Sequence, residues 1–376
     1  MALPYTSEHA QFRDSVRRFV DREIAPHHAR WEQEGAISRE AWLKAGEAGL
    51  LLTNIPEEYG GGGADFLTSV IMIEEMMSRV FSGPGFRLHS DIVAPYILHL
   101  GTEEQKRRLL PAMARGEVIT AIAMTEPGAG SDLQNIRTLA RREGEDFVIS
   151  GQKTFITNGQ LADLVITACK TDPSAGAKGV SLILVETNRP GFSRGRNLEK
   201  VGMKAQDTSE LFFDEVRVPV SNLLGKEGGG FGHLMNELPQ ERLLVGITAV
   251  SVMEAALAWT LAYTRDRKAF GRPLAEMQNT RFKLAEVKTE ATVARTFLDE
   301  CIQRHMRGEL DVPTAAMCKW WLSELECKVV DTCLQLFGGY GYMREYPIAR
   351  AYEDARVHRI YAGANEIMKE IIARSL

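Results

Sequence analysis

Cysteine is scarce in this sequence: there are 5 among 376 residues, and no two of them form a Cys-x-x-Cys pair. An odd number without that spacing suggests neither a disulfide framework nor a zinc ribbon. Four of the five lie in segments with an amphipathic helical pattern, where an unpaired cysteine usually packs as a small hydrophobic residue. We therefore expect free, packed cysteines and a reducing compartment, the cytoplasm.

Targeting and metal-binding signals are also missing. The first ten residues contain no basic region followed by an apolar core, so no signal or transit peptide is visible. No apolar run approaches the ~20 residues that a bilayer span requires. The 8 histidines include no His-Glu-x-x-His pair. These absences predict a protein with no membrane span and no metal site.

An excess of basic residues is lacking as well. Lys and Arg number 45 against 50 Asp and Glu, which gives a net charge of -5. From Tyr340 to the end there are six basic residues against five acidic ones, with no basic stripe. Because affinity for nucleic acid comes largely from Lys and Arg at phosphates, we expect no nucleic-acid partner.

The hydrophobic pattern changes twice along the chain. From Ser7 to about Arg115 apolar residues recur at helical spacing. Next come short β-rich runs separated by Gly, Pro, Asn and Asp, at 147–149, 164–166, 180–185 and 211–218. Beyond Gly228 long amphipathic helices return, at 243–265, 273–305 and 314–337.

These patterns predict an α+β protein that is mainly helical, with three domains. An N-terminal helical domain is expected at 1–117 and a C-terminal four-helix bundle at 227–376. No helix-length pattern separates the β-rich runs, so parallel βαβ units are not expected. For the central domain, 118–226, a small antiparallel barrel or sandwich fits these runs, and we predict the β-barrel.

This organisation offers no dinucleotide site of the Rossmann type. The nearest glycine pair, Gly128 and Gly130, is followed by Ser131 and Asp132, and the third glycine is missing. A nucleotide cofactor would therefore be held by loops and bundle ends. Taken alone, the segment 125–132 favours an ordinary β-turn.

Five motifs, however, resemble those of the acyl-CoA dehydrogenase family, in the same order and at the same spacing. They are 123–132 (AMTEPGAGSD), 153–159 (KTFITNG), 267–271 (RKAFG), 335–341 (QLFGGYG) and 360–367 (IYAGANEI). The resemblance covers nearly the whole chain and is greatest to the long-chain branch. It implies the helical, β-barrel and bundle domains already predicted, arranged around FAD.

The resemblance assigns FAD contacts to two groups of residues. The first lies along the flavin and the pyrophosphate: Ile122, Met124, Thr125, Gly130, Ser131, Phe155, Ile156 and Thr157. The second would come from another subunit and from the tail: Arg267, Phe270, Gln278, Gln335, Leu336, Phe337, Gly338, Gly339, Ala364 and Glu366. A guanidinium matches a pyrophosphate bidentately, which suits Arg267 to that role. At Ala364 the family usually has Thr, which puts one hydrogen bond to FAD in doubt.

The family reaction removes the α proton of a fatty acyl-CoA thioester with a carboxylate, while a hydride leaves Cβ for flavin N5. In much of the family the base is the Glu of a Tyr-Glu-Gly motif. Here that motif is Tyr361-Ala362-Gly363. Residues 238–243 (LPQERL) resemble the long-chain branch, where the base comes from an earlier helix, so Glu241 is the candidate base. The product would be the trans-2-enoyl-CoA.

Considered alone, Glu241 has a simpler interpretation. Pro239 suits the first turn of a helix, so Glu241 would lie near the helix N-terminus, where the dipole favours any carboxylate. The absent tail carboxylate and the resemblance outweigh that alternative. By the same match, residues near the substrate are Ser131, Pro239, Gln240, Arg242, Ala362 and Gly363.

The resemblance also implies partners, and it leaves alternatives open. The family is usually a homotetramer and passes electrons to an electron-transfer flavoprotein. The acyl chain would be medium, long or branched, including the isovaleryl type, and Arg87 would meet a polar chain end or only solvent. A flavin monooxygenase or oxidase on the same fold, and an inactive CoA-binding homologue, are further alternatives that a base at Glu241 disfavours.

Overall fold

The N-terminal segment is helical, as its periodicity predicts. The computed structural model describes residues 3–376. Its first helices are α1 Ser7–Phe19, α2 His28–Glu34, α3 Arg39–Glu47, α4 Leu67–Met77, α5 Phe86–Leu88, α6 Ala94–Leu100 and α7 Glu103–Ala114, with π-helical segments at Val20–Ile24 and His89–Val93. The predicted start of α7 is confirmed, because Thr102 and Gln105 form a capping box. Helix α5, the second π segment and α6 run on without a break.

The middle of the chain forms one eight-stranded sheet. Its strands are β1 Thr120–Ala123, β2 Leu139–Glu143, β3 Asp146–Thr157, β4 Leu164–Lys170, β5 Val180–Glu186, β6 Phe192–Asn197, β7 Thr208–Pro219 and β8 Leu223–Leu224. They are ordered β6-β7-β3-β2-β4-β5-β8, with β1 paired to β4. All four predicted β-rich runs lie within these strands.

The predicted antiparallel barrel is wrong in two respects. The sheet does not close, because its two end strands, β6 and β8, do not pair with each other. In addition, β1 runs parallel to β4, with Thr120 opposite Leu164, and β2 makes one parallel pair with β4. A parallel pair needs a long crossover. Here the β2–β3 hairpin supplies it, and that hairpin carries no helical periodicity by which the crossover would be predicted.

Beyond the sheet three long helices and two short ones follow. They are α8 Gly230–Asp266, α9 Gln278–Met306, α10 Val312–Phe337, α11 Pro347–Ala355 and α12 Asn365–Ala373, with a small hairpin of β9 Lys268–Ala269 and β10 Arg272–Pro273 after α8. The predicted bundle of four helices therefore has three long members, α8, α9 and α10, and its fourth member would have to be one of the two nine-residue helices, α11 or α12.

Helix α8 begins well before the position that Pro239 predicts. Gly230 is its first residue, so Pro239 lies inside the helix rather than in its first turn. Among residues 3–376, α8 alone is long and apolar enough to cross a membrane by length and composition, contrary to our expectation for the apolar runs. However, 83% of that apolar window is buried in the protein, which is typical of a core helix.

Three hydrophobic clusters hold these parts together. One joins the N-terminal helices to the outer face of the sheet, and another lies between the sheet strands β3, β4, β5 and β7. The third packs α4 against α8, α9 and α10. Helix α8 is therefore fixed against helices from both ends of the chain. All five cysteines are free. Of the four in helices, Cys301, Cys318 and Cys333 are buried as predicted and Cys327 is half-buried, while Cys169 in β4 is buried as well.

Candidate active site

Glu241 is a buried carboxyl in the interior of α8. Its side chain is 7% exposed, and Oε1 accepts a hydrogen bond of 3.0 Å from the Tyr96 hydroxyl. Burial raises the pKa of Glu241 to about 7, an effect increased by Glu237 and opposed by Tyr96 and Arg242. A carboxyl with this pKa can hold or release a proton near neutral pH, as a general base must.

The helix-dipole interpretation of Glu241 is wrong. The residue lies about three turns into α8, where the partial charge of the helix N-terminus no longer acts on it. A carboxylate held by the dipole would also be exposed and would have a lowered pKa, because the helix N-terminus stabilises its ionised form. Neither description fits Glu241, so its burial needs another reason.

The residues on either side of Glu241 are fixed as well. Gln240 donates from Nε2 to the carbonyl of Asp91, in the π segment that precedes α6, at 2.6 Å. Arg242 is buried, and its Nε is without a hydrogen-bond partner among the described residues. Burial lowers the pKa of Arg242, while Glu241 raises it. Pro239 lies one residue before this group.

A tight turn precedes α12 and carries the two predicted tail residues. Ala362 has φ +53° and Gly363 has φ +95°, so both lie in the left-handed region. The ammonium of Lys319, which is 0% exposed, donates to the Gly363 carbonyl at 2.6 Å and to Asn365 Oδ1 at 2.7 Å. Lys319 therefore fixes this turn. Burial and the neighbouring Arg242 lower the pKa of Lys319 to about 7.

Arg87 links the tail to α8. It donates to the Thr248 hydroxyl, two turns after Glu241, and to the Tyr361 hydroxyl at 3.2 Å. The turn at Ala362 is thereby held beside the same face of α8 that carries Glu241.

The loop from Met124 to Asp132 is fixed by a buried ion pair. Lys153 on β3 donates to the Met124 carbonyl at 2.9 Å and to Glu126 Oε1 at 2.8 Å. Glu126 also accepts from the amides of Arg137 and Thr138. Of the predicted residues here, Gly130 and Ser131 are exposed, while Ile122, Met124 and Thr125 are half-buried.

A bulge in β3 presents the next predicted group. The β3–β7 pairing shifts between Lys153 and Ile156, and Phe155 at the bulge has φ +60° and is 68% exposed. Ile156 is buried and Thr157 is half-buried. The Thr154 amide donates to the Thr125 carbonyl at 2.9 Å, so the bulge and the 124–132 loop are adjacent. Bulges often re-aim a side chain beside an active site.

The other predicted group lies at the far end of the bundle. A cavity of about 600 Å³ is lined there by Arg267, by Gln335 to Gly339, and by Tyr263, Leu274, Tyr340 and Met343. The Arg267 guanidinium stacks over the Tyr340 ring at 5.4 Å. Phe270 is 97% exposed at the tip of the β9–β10 hairpin, and Gln278 is exposed at the start of α9. Within one chain Arg267 and residues 335–339 line this cavity, whereas Phe270 and Gln278 do not.

Two predicted residues belong to the tail itself. Ala364 is the N-cap of α12 and makes no side-chain capping bond, and Glu366 is exposed in the first turn of that helix. Among residues 3–376, no group of three or more His, Cys, Asp or Glu is placed to hold a metal ion.

Four residues that shape this site were not predicted from the sequence: Tyr96, Lys319, Glu126 and Lys153. Lys319 carried a usable signal, since it is a lone charge in the largely apolar segment 312–322, and Lys153 is the one charged residue between Asp146 and Asp163. Tyr96 carried none, because its role depends on a partner 145 residues away in the chain.

Comparisons with known proteins find similar sequences over nearly the whole chain. Family models match three consecutive ranges: the N-terminal domain of acyl-CoA dehydrogenase at 6–117, the middle domain at 121–216 and the C-terminal domain at 228–376. The chain is 54% identical over 374 residues to the long-chain specific acyl-CoA dehydrogenase, mitochondrial, of Mus musculus, covering 99% of this chain and 87% of that relative.

Solved structures are similar over the full length. The crystal structure of an acyl-CoA dehydrogenase from Geobacillus kaustophilus superimposes with a TM-score of 0.97 at 51% identity, covering 100% of this chain and 99% of the other. A chain of a structure described as the electron transferring flavoprotein of Acidaminococcus fermentans gives a TM-score of 0.94 at 33% identity, with coverage of 100% and 99%.

Proposed function

Because the chain belongs to the acyl-CoA dehydrogenase family, whose members are oxidoreductases, we propose that Glu241 is the base that removes the α proton of the protein's acyl-CoA substrate. The observation that carries this assignment is the burial of a carboxyl with a pKa of about 7 inside α8. The tail turn, where much of the family has its base, carries Ala362 instead. The product is the trans-2-enoyl-CoA.

The residues of the predicted cofactor site fit FAD. A Cβ at Gly128, Gly338 or Gly339 would meet nothing within 4 Å, so the backbone at these positions is open to a ligand. The exposed ring of Phe155 is held on a strained backbone beside the 124–132 loop, as a planar ring system would require. Hydroxyls at Thr125 and Ser131 add donors. When bound, FAD would accept the hydride from the substrate Cβ.

The chain's own residues prepare the substrate for proton removal. The Ala362–Gly363 turn, fixed by Lys319, would direct the backbone amide of Ala362 or Gly363 to the thioester oxygen and stabilise its developing negative charge. Glu241 would take the proton from Cα in a site largely closed to bulk water, because its side chain is only 7% exposed.

We propose a long, straight acyl chain as the substrate class. The relative from mouse is described as long-chain specific, and Ala362 has a smaller side chain than the glutamate found there in much of the family, so a base on α8 would free space beside the tail turn. A short branched chain of the isovaleryl type is the alternative. An electron-transfer flavoprotein as electron acceptor, a homotetrameric assembly and a cytoplasmic location belong to the same proposal.

Replacement of Glu241 by Gln tests the base. The purified, flavin-bound protein is mixed anaerobically with a series of acyl-CoAs from short and branched to long, and the bleaching of flavin absorbance is followed. We expect Glu241→Gln to bleach roughly 1000-fold more slowly than wild type, because general-base catalysis contributes about 100- to 10000-fold.

Glu254→Gln is the matched control, since Glu254 lies on the same helix but is exposed and paired with Arg295. It should bleach at the wild-type rate. Wild-type rates in Glu241→Gln would overturn the assignment of the base. Faster bleaching by isovaleryl-CoA than by long straight chains would overturn the substrate class alone.

A further inference from the structure

The Tyr96 hydroxyl is placed to control one of the two oxygens of Glu241. Tyr96 is 0% exposed, and its hydroxyl donates to Glu241 Oε1 at 3.0 Å. Residues 3–376 form no hydrogen bond to Oε2 of the same carboxyl. One oxygen is therefore fixed by the protein, and the other is left for a ligand.

The path of the helix that carries Tyr96 depends on a π-helical segment. The residues His89–Val93 widen the helix by one residue per turn immediately before α6. The Asp91 carbonyl within this segment accepts from Gln240, the residue before Glu241. Two consecutive residues of α8 are thus bound to two neighbouring turns of the same N-terminal helix, which fixes the position of Tyr96 against Glu241.

We propose that Tyr96 is a positioning residue: its hydroxyl holds Oε1 of Glu241 so that Oε2 is directed at the substrate Cα–H bond. This inference rests on the proposed function of Glu241. It adds a second role, because the same hydrogen bond stabilises the ionised carboxylate, the form that accepts a proton.

Few charged and titratable groups surround Glu241, and those on α8 shift its pKa in opposite directions. Glu237 and Arg242 flank it on α8, the first raising its pKa and the second lowering it. Asp91 faces α8 from the π segment with its carboxyl bonded to Ser69, and Lys319 approaches from α10 near Arg242. The pKa of Tyr96 is raised far above its usual range by burial and by Glu241, so its hydroxyl remains a donor at neutral pH.

The test is the pH dependence of kcat/KM for the Tyr96→Phe holoenzyme, with a long-chain acyl-CoA as substrate. We expect the acidic limb of the wild-type profile at about pH 7, the pKa of Glu241, and loss of the hydrogen bond should move it upward by roughly one to two pH units. Above that limb kcat should stay several-fold below wild type, because the base is no longer held in place.

Tyr59→Phe is the matched control. Tyr59 is also a buried tyrosine of the N-terminal helices whose hydroxyl bonds a glutamate, Glu103, at 3.0 Å, but it lies away from α8. It should leave the acidic limb unchanged. Incorporation of 3-fluorotyrosine at position 96 gives a change of opposite sign: a more acidic phenol is a stronger donor, so the limb should move to lower pH.

The outcomes separate the two proposals. An acidic limb that stays in place in both Tyr96 variants would overturn the positioning role while leaving Glu241 as the base. If Glu241→Gln retains full activity, the base itself is wrong, whatever Tyr96→Phe does. If Tyr96→Phe does not fold, the fluorotyrosine protein decides.

Discussion

Glu241 lies where water cannot solvate its charge, and this has a consequence for stability. Its pKa is raised from an ordinary value of 4.5 to about 7 by burial. Between these two values the native state keeps a proton that the unfolded chain releases, so the free energy of unfolding falls as the pH rises. Above about pH 7 the full penalty, on the order of 3 kcal/mol, is present.

Glu241→Gln should therefore be more stable than wild type at high pH. We expect its melting temperature to exceed that of wild type at about pH 8, and the difference to shrink toward zero at about pH 5, where Glu241 is protonated. Thermal melts of both proteins across this range give the measurement. Glu254→Gln should show no such pH-dependent difference, and a constant offset for Glu241→Gln would contradict the raised pKa.

Single residues were predictable where a motif identified them. Glu241 followed from the missing tail carboxylate and the 238–243 segment, but its burial did not. Tyr96 and Lys319 depend on contacts between distant parts of the chain, with Tyr96 145 residues from Glu241 and Lys319 44 residues from Gly363. Local pattern carries no information on such pairs.

At the scale of elements, α8 and α10 pack very close together at Gly246. A Cβ at Gly246 would lie 2.5 Å from Cys318 Sγ and 3.1 Å from Leu322 Cδ1. The two helices therefore pack at a distance that a side chain at position 246 does not permit.

Gly246→Ala should be destabilising despite the higher helix propensity of alanine. Overpacking costs about 1–3 kcal/mol, against a gain of roughly 1 kcal/mol from propensity, so the melting temperature should fall. Gly232→Ala on the same helix is the control, since its Cβ would meet nothing within 4 Å and should be neutral or slightly stabilising. A Gly246→Ala protein as stable as wild type would show that α10 can move away.

The elements themselves were predicted well in type and less well in their limits and pairing. The capping box at Thr102 identified the start of α7 correctly, because that signal is local. The helix start predicted from Pro239 was wrong. Buried packing keeps α8 continuous through this residue, although a proline removes one backbone hydrogen bond. The parallel pairing of β1 with β4 was missed because its crossover is a hairpin.

For the whole molecule, the exposed β9–β10 hairpin bears on the proposed assembly of several chains. Phe270 at its tip has φ +53° and Gly271 has φ +80°, a turn that places an aromatic side chain almost fully in solvent. An exposed aromatic side chain held on a strained backbone is available for contact with a second chain. This agrees with the proposed tetramer, in which Phe270 and Arg267 would contact the cofactor of another subunit.

Phe270→Ser should therefore weaken the assembly and the retention of flavin together. We expect smaller species in sedimentation velocity and a lower ratio of flavin to protein absorbance after purification. Leu43→Ser, which removes an exposed apolar side chain from α3, serves as the comparison. Wild-type sedimentation and flavin content in Phe270→Ser would exclude the hairpin from the interface.

The hydrogen bonds from Gln240 and Glu241 to the helix from Phe86 to Leu100 also have a consequence for synthesis and folding of the chain. Tyr96 leaves the ribosome long before Glu241 does, and until α8 docks the carboxyl is an ordinary acid, ionised at neutral pH and surrounded by water. Its strength as a base arises only when helices from both ends of the chain pack around α8 and bury it. A nascent or partly folded chain therefore carries no competent base, and the chemistry begins with the finished fold.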